Sequence, residues 1–242
     1  MLRTLEQKTL KDNLTERSYM AIFHASPEFD FSKVHLGAPA ATASGSYFTK
    51  INHGVSDNSL YMYTPKSGSK QGVVTAGNKK YIDLVFTNAN SNFVDWVHEF
   101  ESRVQDLIYE KRNAWFTEEL ERDDIESVFV PVIKAVKGGQ YILRAYLTPL
   151  NSRSVAMPPV FDDHETPRTV DYIQPTSELI TILDFQGVKF TAKSFVAVVV
   201  IKQIMVMEKT VPTFNQCLIK PSVKSKIVEV NTDELNVSDE KE

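Results

Sequence analysis

Along the chain the spacing of apolar positions switches between a two-residue and a three-to-four-residue period. Residues 1–20 are polar without a clean period, and Gly37–Gly45 is built of small residues that read as a mobile loop. Runs rich in aromatic and β-branched residues follow at 46–52, 59–64, 72–75 and 81–86, which predict strands. The segments between them, Pro65–Gly72 and Gly77–Lys80, hold the Gly, Asn and Pro of turns, so an antiparallel meander is expected. Then Phe93, Trp96, Val97, Phe100, Val104, Leu107 and Ile108 recur at helical steps, predicting an amphipathic helix to about Arg112 with Ser91 or Asn92 as its cap. A second, acidic helix is expected over 117–128, with Trp115 and Phe116 packing at the joint.

Strand signals resume at 129–136 and 141–147, joined by Lys137–Gln140, whose two glycines suit a tight hairpin. A loop rich in Pro and Ser covers 148–159, and a polar stretch runs to Pro175. Glu178–Gln186 alternates as a strand, and Phe195–Met207, apolar on both sides up to Lys202, reads as a central strand. Gly187, Lys189 and Phe190 are expected to form a turn. From Lys220 the chain is charged and poor in apolar residues, as in a disordered tail. The expected fold class is α+β: mainly antiparallel β, a Greek-key or OB-like barrel with one long amphipathic helix and an extra hairpin. The expected organisation is a polar segment and loop at 1–45, one domain at 46–219 and an acidic tail at 220–242.

Composition narrows the class. The 242 residues include 42% hydrophobic and 24% charged residues and nine glycines, which excludes collagen-like and wholly disordered chains. The single cysteine, Cys217, rules out an internal disulfide and a zinc site of several cysteines, and fits a reducing compartment. The charged N-terminus reads as no export signal, and the longest apolar run, Phe195–Ile201, falls far short of the ~20 residues of a membrane span. An intracellular protein with no membrane partner is expected.

The net charge of -4 hides an uneven distribution. Between Ser44 and Tyr81 five lysines face one acid, Asp57, and between Gly187 and Lys226 seven lysines face Glu208. Between Phe93 and Glu126 eleven acids outweigh four basic residues, and from Glu229 six acids face Lys241 alone. The acidic end could compete with phosphate for a basic groove or offer a docking motif to replication proteins, although most such tails serve solubility.

Candidate chemistry is sparse. Gly72–Lys79 has phosphate-loop glycine spacing but puts Asn78 where the lysine belongs and lacks the Ser or Thr for magnesium. His164 alone among five histidines sits in a carboxylate group, with Asp162, Asp163 and Glu165, yet neighbours in an extended segment point to alternate sides and need a further ligand to converge. His98 reads as a flank residue of the helix. No nucleophile elbow appears. The chain reads as a binding protein rather than an enzyme, with no cofactor and no metal.

What remains is the basic, aromatic meander. A single strand exposes base faces and phosphates, so its binder needs flat aromatic platforms beside lysines. Tyr61 and Tyr63 share one face of their strand, Phe48 and Lys50 share one face of theirs, and Tyr81 lies opposite the core residues Ile82, Leu84 and Phe86. The candidate DNA-binding set is therefore Tyr47, Phe48, Tyr61, Tyr63 and Tyr81 as platforms, with Lys50, Lys66, Lys70, Lys79 and Lys80 at phosphates. On spacing alone, packing of these tyrosines across strands is an equal alternative.

The segment from Glu178 through Gly187-Val-Lys-Phe190 to Phe195, and the strand ending Ile201-Lys-Gln-Ile-Met-Val206, resemble the single-stranded-DNA-binding proteins of nucleocytoplasmic large DNA viruses, the African swine fever virus and giant-virus type. Tyr81–Phe86, the helix opening Phe93-Val-Asp-Trp96, Trp115-Phe116 and Asp124-Ile125 are similar too, so the likeness covers about 81–206. It implies an OB-like barrel and sequence-tolerant single-strand binding in viral DNA replication, recombination or repair, in the host cytoplasm or nucleus. It implies no individual DNA contacts. Two rivals stand beside it: a virion structural or assembly protein that binds no DNA, and a metal-dependent enzyme using Asp162, Asp163, His164 and Glu165. Homo-oligomer formation, DNA footprint and RNA preference are left open by the sequence.

Overall fold

The computed structural model describes residues 21–54, 58–148 and 156–208. The acidic tail, Cys217 and most of the loop at 148–159 lie outside the described residues. The strands are β1 (Ile22–His24), β2 (Val34–Leu36), β3 (Ala40–Ala41), β4 (Tyr47–His53), β5 (Asn58–Ser59), β6 (Tyr61–Tyr63), β7 (Ser67–Ala76) and β8 (Lys79–Thr87). Then come helices α1 (Ser91–Trp115) and α2 (Arg122–Val128). The chain continues with β9 (Phe129–Val130), β10 (Ile133–Val136), β11 (Gln140–Tyr146), β12 (Val160–Asp162), β13 (Pro167–Arg168), β14 (Glu178–Phe190) and β15 (Phe195–Met207). Most pairings are antiparallel, and one long helix accompanies them.

β14 and β15 form the spine, a long hairpin interrupted by irregularities between Ile182 and Leu183 and between Phe185 and Gly187. β15 pairs with β11, β11 with β8, β8 with β7, and β7 returns to β14, so a ring of five hydrogen-bonded strands closes on itself. Beyond its short contact with β7, the far edge of β14 is shared by β6 at Ile182–Asp184 and by β4 at Gly187–Phe190. β1 extends β6 in parallel.

One side of these strands makes the core. Ile82, Leu84 and Phe86 of β8, Leu143 and Ala145 of β11, Met62 of β6 and Leu183 and Phe185 of β14 are buried in one cluster. The apolar face of α1 joins them: Phe93 packs on Phe86, with ring centroids 4.6 Å apart, and Trp96 and Phe100 pack on Phe185 at 5.3 and 4.6 Å. Burying several such rings at roughly 1.5–3 kcal/mol each explains why the helix sits on this side. Its hydrophilic side keeps Asp95, Glu99 and Glu110 in solvent. No helix among the described residues is long and apolar enough to cross a membrane.

Several boundaries differ from expectation, each for a local reason. Most of the expected turn at Pro65–Gly72 is strand: β7 starts at Ser67, bonded to Leu179 and Val85 on its two sides through Ser67 and Gly68. The expected turn at Gly187–Phe190 is also strand, since Val188, Lys189 and Phe190 pair with both β15 and β4, and the chain reverses only at Thr191–Ser194. The expected loop at Gly37–Gly45 contains β3, and the Thr42 amide and hydroxyl both donate to the Ser46 carbonyl. Ordered pairing thus begins well before residue 46, at β1. The second helix is shorter than expected, because Glu121 and Asp124 form a capping box that starts it at Arg122. The long helix begins at Ser91, after a 3-10 turn at Asn88–Asn90 capped by Thr87. The run at 129–136 divides into β9 and β10 around Pro131 and Val132, where the Glu101 carboxylate accepts the Val132 and Ile133 amides.

Candidate nucleic-acid interface

Alternation sends every second residue of the ring strands and of β6 away from the core. Register pairs join these outward positions into a row: Val74, Tyr81, Tyr146, Val200, Asp184, Tyr61 and Ile22. Val200 and Asp184, at its centre, are buried, whereas Tyr61, Tyr81 and Tyr146 are half-buried.

Tyr81 and Tyr146 lie directly opposite in the β8–β11 ladder and meet edge to face, with centroids 6.3 Å apart. The Lys79 ammonium stands 5.8 Å above the Tyr146 ring. The Arg144 guanidinium lies 4.0 Å from the Tyr81 centroid and is gripped by its cross-strand partner Asp83, with Nε donating to Oδ1 at 2.8 Å and Nη2 to Oδ2 at 2.9 Å. Hydrogen bonding to Asp83, chiefly, pushes the Arg144 pKa further above its ordinary value, so the cation is permanent. Its side chain is still 51% exposed.

The other end of the row belongs to β6. Tyr63 stacks on His24 with centroids 4.8 Å apart and planes 16° from parallel, and Tyr61 flanks Asp184. Asp184 accepts from Lys202 at 3.1 Å and from Gln186 at 3.2 Å on Oδ2, while its buried Oδ1 has no hydrogen-bond partner among the described residues. Burial pushes this carboxyl above the usual range, and Lys202 and then Gln186 pull part of that back.

A third group lies where β4 meets β14. Lys50 is opposite Gly187 and Phe48 opposite Lys189, so two cations and one ring share this outward face. Five of the residues expected from the sequence, Phe48, Lys50, Tyr61, Tyr63 and Tyr81, therefore face outward on β4, β6 and β8, and Lys79 of β8 joins them.

The remaining four lie elsewhere. Tyr47, 55% exposed, is opposite Phe190 and lines a separate hollow of about 460 Å³ with Trp115 and Phe116. Lys66 is paired with Glu178 at 3.1 Å, and its carbonyl accepts from the Asn90 side chain near the start of α1. Lys70 is exposed at the irregularity of β7, and alternation turns Lys80 to the side of Ile82. Sequence reasoning missed Arg144, Tyr146, Lys189 and Lys202. Arg144 and Tyr146 carried a usable signal: they stand two apart, opposite the core positions Leu143 and Ala145.

The carboxylate group around His164 is divided. Asp162 is buried and accepts from the His164 and Thr166 amides and from Arg168. Asp163 and His164 instead approach Glu208, the three bringing one potential ligand atom each within 4.8 Å of one another.

No protein-family model matches the chain, and no curated protein matches it. Among solved structures, gp2.5, a single-stranded DNA binding protein encoded by bacteriophage T7, aligns with a TM-score of 0.44 at 11% identity, over 74% of this chain and 100% of that one. A C-terminal truncation of the single-stranded DNA-binding protein from bacteriophage Enc34 aligns with a TM-score of 0.43 at 8% identity, over 75% and 99% of the two chains. The Enc34 protein in complex with ssDNA gives 0.41 at 7% identity, over 73% and 96%.

Proposed function

We propose that this chain binds single-stranded DNA, with little dependence on sequence, through the outward face of β4, β6, β8, β11, β14 and β15. The observation that carries the reading is the placement of Phe48, Tyr61, Tyr63, Tyr81 and Tyr146 on the side opposite the core, interleaved with Lys50, Lys79, Arg144, Lys189 and Lys202. Half-buried rings on this face accept any base, each stacked base contributing ~1–3 kcal/mol, while Lys50, Lys79 and Lys189 take phosphates. The acids Asp83, Asp184 and Glu178 on this face are each engaged by a cation and so repel phosphate less than free carboxylates would. Lys70 and Lys80 serve the strand, in this reading, only where it leaves the face, and Lys66, held by Glu178, takes no phosphate. A role in the replication, recombination or repair of a large DNA virus follows from the sequence resemblance, with the acidic tail as a contact for replication proteins.

The test is fluorescence anisotropy of a labelled ~30-nucleotide single strand, beside the matching duplex, across several salt concentrations. Tight single-strand binding that weakens linearly with log salt supports the reading. No binding at low salt by well-folded protein sinks it and favours a structural or assembly role.

A further inference from the structure

The geometry points to a thymine-selective subsite in the hollow beside Arg144, a refinement that rests on the single-strand reading above. The hollow holds about 260 Å³ and opens on the outward face between β11 and β15. Its walls include Val130, Val132, Ile142 and Val196, four half-buried β-branched side chains. Its polar rim is different in kind. Lys134, exposed and directly opposite Ile142 in the β10–β11 ladder, stands on one side, with Arg144 and the Tyr146 phenol on the other.

Asp83 is the one acid in this lining, and both its oxygens are taken by Arg144. A guanidinium has five N–H donors, so several remain for a ligand after two are spent on Asp83. A base entering the hollow therefore meets ammonium, guanidinium and phenol donors at the rim and methyl groups along the wall.

The bases differ at the edge that would meet those groups. Thymine presents the O4 acceptor beside its C5-methyl, which matches donor rim and aliphatic wall together. Cytosine puts an amino donor where thymine has O4, so donor would face donor. Uracil keeps O4 and lacks the methyl. Guanine satisfies the donors through O6 and N7 but brings no methyl to the wall. The tyrosine platforms elsewhere on the face take any base, so selectivity has to come from this hollow and is modest in size.

Anisotropy titrations of the full chain with 30-mers of deoxythymidine, deoxyuridine and deoxycytidine at pH 8 and low salt test it. The thymidine strand should bind about fourfold tighter than the deoxyuridine strand, the value of one buried methyl at ~0.8 kcal/mol, and about tenfold or more tighter than the deoxycytidine strand. Ile142→Ala should shrink the thymidine–deoxyuridine gap. Lys134→Ala, at an exposed position where folding is not at stake, should make the deoxycytidine and deoxyuridine strands bind equally, erasing a gap of about 2.5-fold or more, and Lys134→Arg should keep them apart. Equal binding of all three strands by the unaltered protein, or a preference that survives both alanine variants, overturns the subsite and leaves single-strand binding standing. Failure of every strand to bind overturns both.

Discussion

The ring of Phe48 fills the space where a side chain on Gly187 would stand: a Cβ there would lie 2.5 Å from Phe48 Cζ. Gly187 is a strand residue, set beside an irregularity in β14 and bonded on both edges, to Val198 and Lys50. Its missing side chain is what lets the ring lie against the strand instead of swinging into solvent. Gly187→Ala would push Phe48 off the sheet, and the Thr49 carbonyl oxygen crowds the same space, so trimming Phe48 offers no full relief. The expected cost is that of overpacking, about 1–3 kcal/mol. Urea unfolding should show a lower midpoint for Gly187→Ala, and Gly187→Ala/Phe48→Ala should stay below Phe48→Ala; a midpoint equal to that of the unaltered protein would count against this placement of the ring.

Tyr61→Ala and Tyr63→Ala should weaken single-strand binding by about 1–3 kcal/mol for each base that stacks. Both rings lie opposite the core position Met62, so circular dichroism and the cooperativity of unfolding should survive. Tyr63→Ala also removes the partner of His24, so it should cost somewhat more stability than Tyr61→Ala. Phenylalanine at either position should bind nearly as well as tyrosine, since the platform is the ring. Loss of cooperative unfolding in the alanine variants would mark them as core residues.

How much of this was legible in the chain depends on whether the information was local. The helix was, because Phe93 to Ile108 repeats at its own period, and so was the full span of β15. β7 was not: Ser67, Gly68 and Ser69 have turn-forming side chains, and only long-range bonds to β14 and β8 make them strand. The same holds at Gly187, where a glycine that reads as a turn serves the close approach of Phe48. The site divided in the same way. Phe48 and Lys50, or Tyr61 and Tyr63, share a face by counting within one strand. That Tyr81, Tyr146 and Tyr61 stand in one row depends on registers between strands far apart in sequence, such as Asp184 with Tyr61, which no local pattern contains.

Lysines should divide by position when salt dependence is measured. Lys50 and Lys189 stand with Phe48 where β4 meets β14, and Lys66 is held by Glu178 at the far end of β14. For a single strand, removing one cation that neutralises a phosphate lowers the slope of log K against log salt by about 0.7. Lys50→Ala and Lys189→Ala should each do so, and Lys66→Ala should leave the slope nearly unchanged. Equal effects at all three would mean that the strand's path extends toward the start of α1.

Asp184 gives the face a dependence on pH. Burial raises its carboxyl above the usual range, in part offset by Lys202 and Gln186. A carboxyl that holds its proton more tightly when folded than when unfolded adds stability as pH falls through its raised folded value, and loses that contribution as pH rises through it. Asp162 moves the other way: burial alone would raise it, but the Thr166 amide, Arg168 and the His164 amide hold it below the usual range, so its contribution is present at neutral pH and lost in acid. Comparison with Asp184→Asn isolates the first group. The difference in melting temperature between variant and unaltered protein should shrink as pH is lowered from neutral, where only the variant lacks the buried charge, toward pH ~4. On the face itself the variant releases Lys202, whose side chain is 39% exposed, from its acidic partner. At pH 7 Asp184→Asn should therefore bind a single strand more tightly, with a salt slope steeper by about 0.7. An unchanged slope would place Lys202 away from any phosphate and confine Asp184 to holding β14 and β15 together.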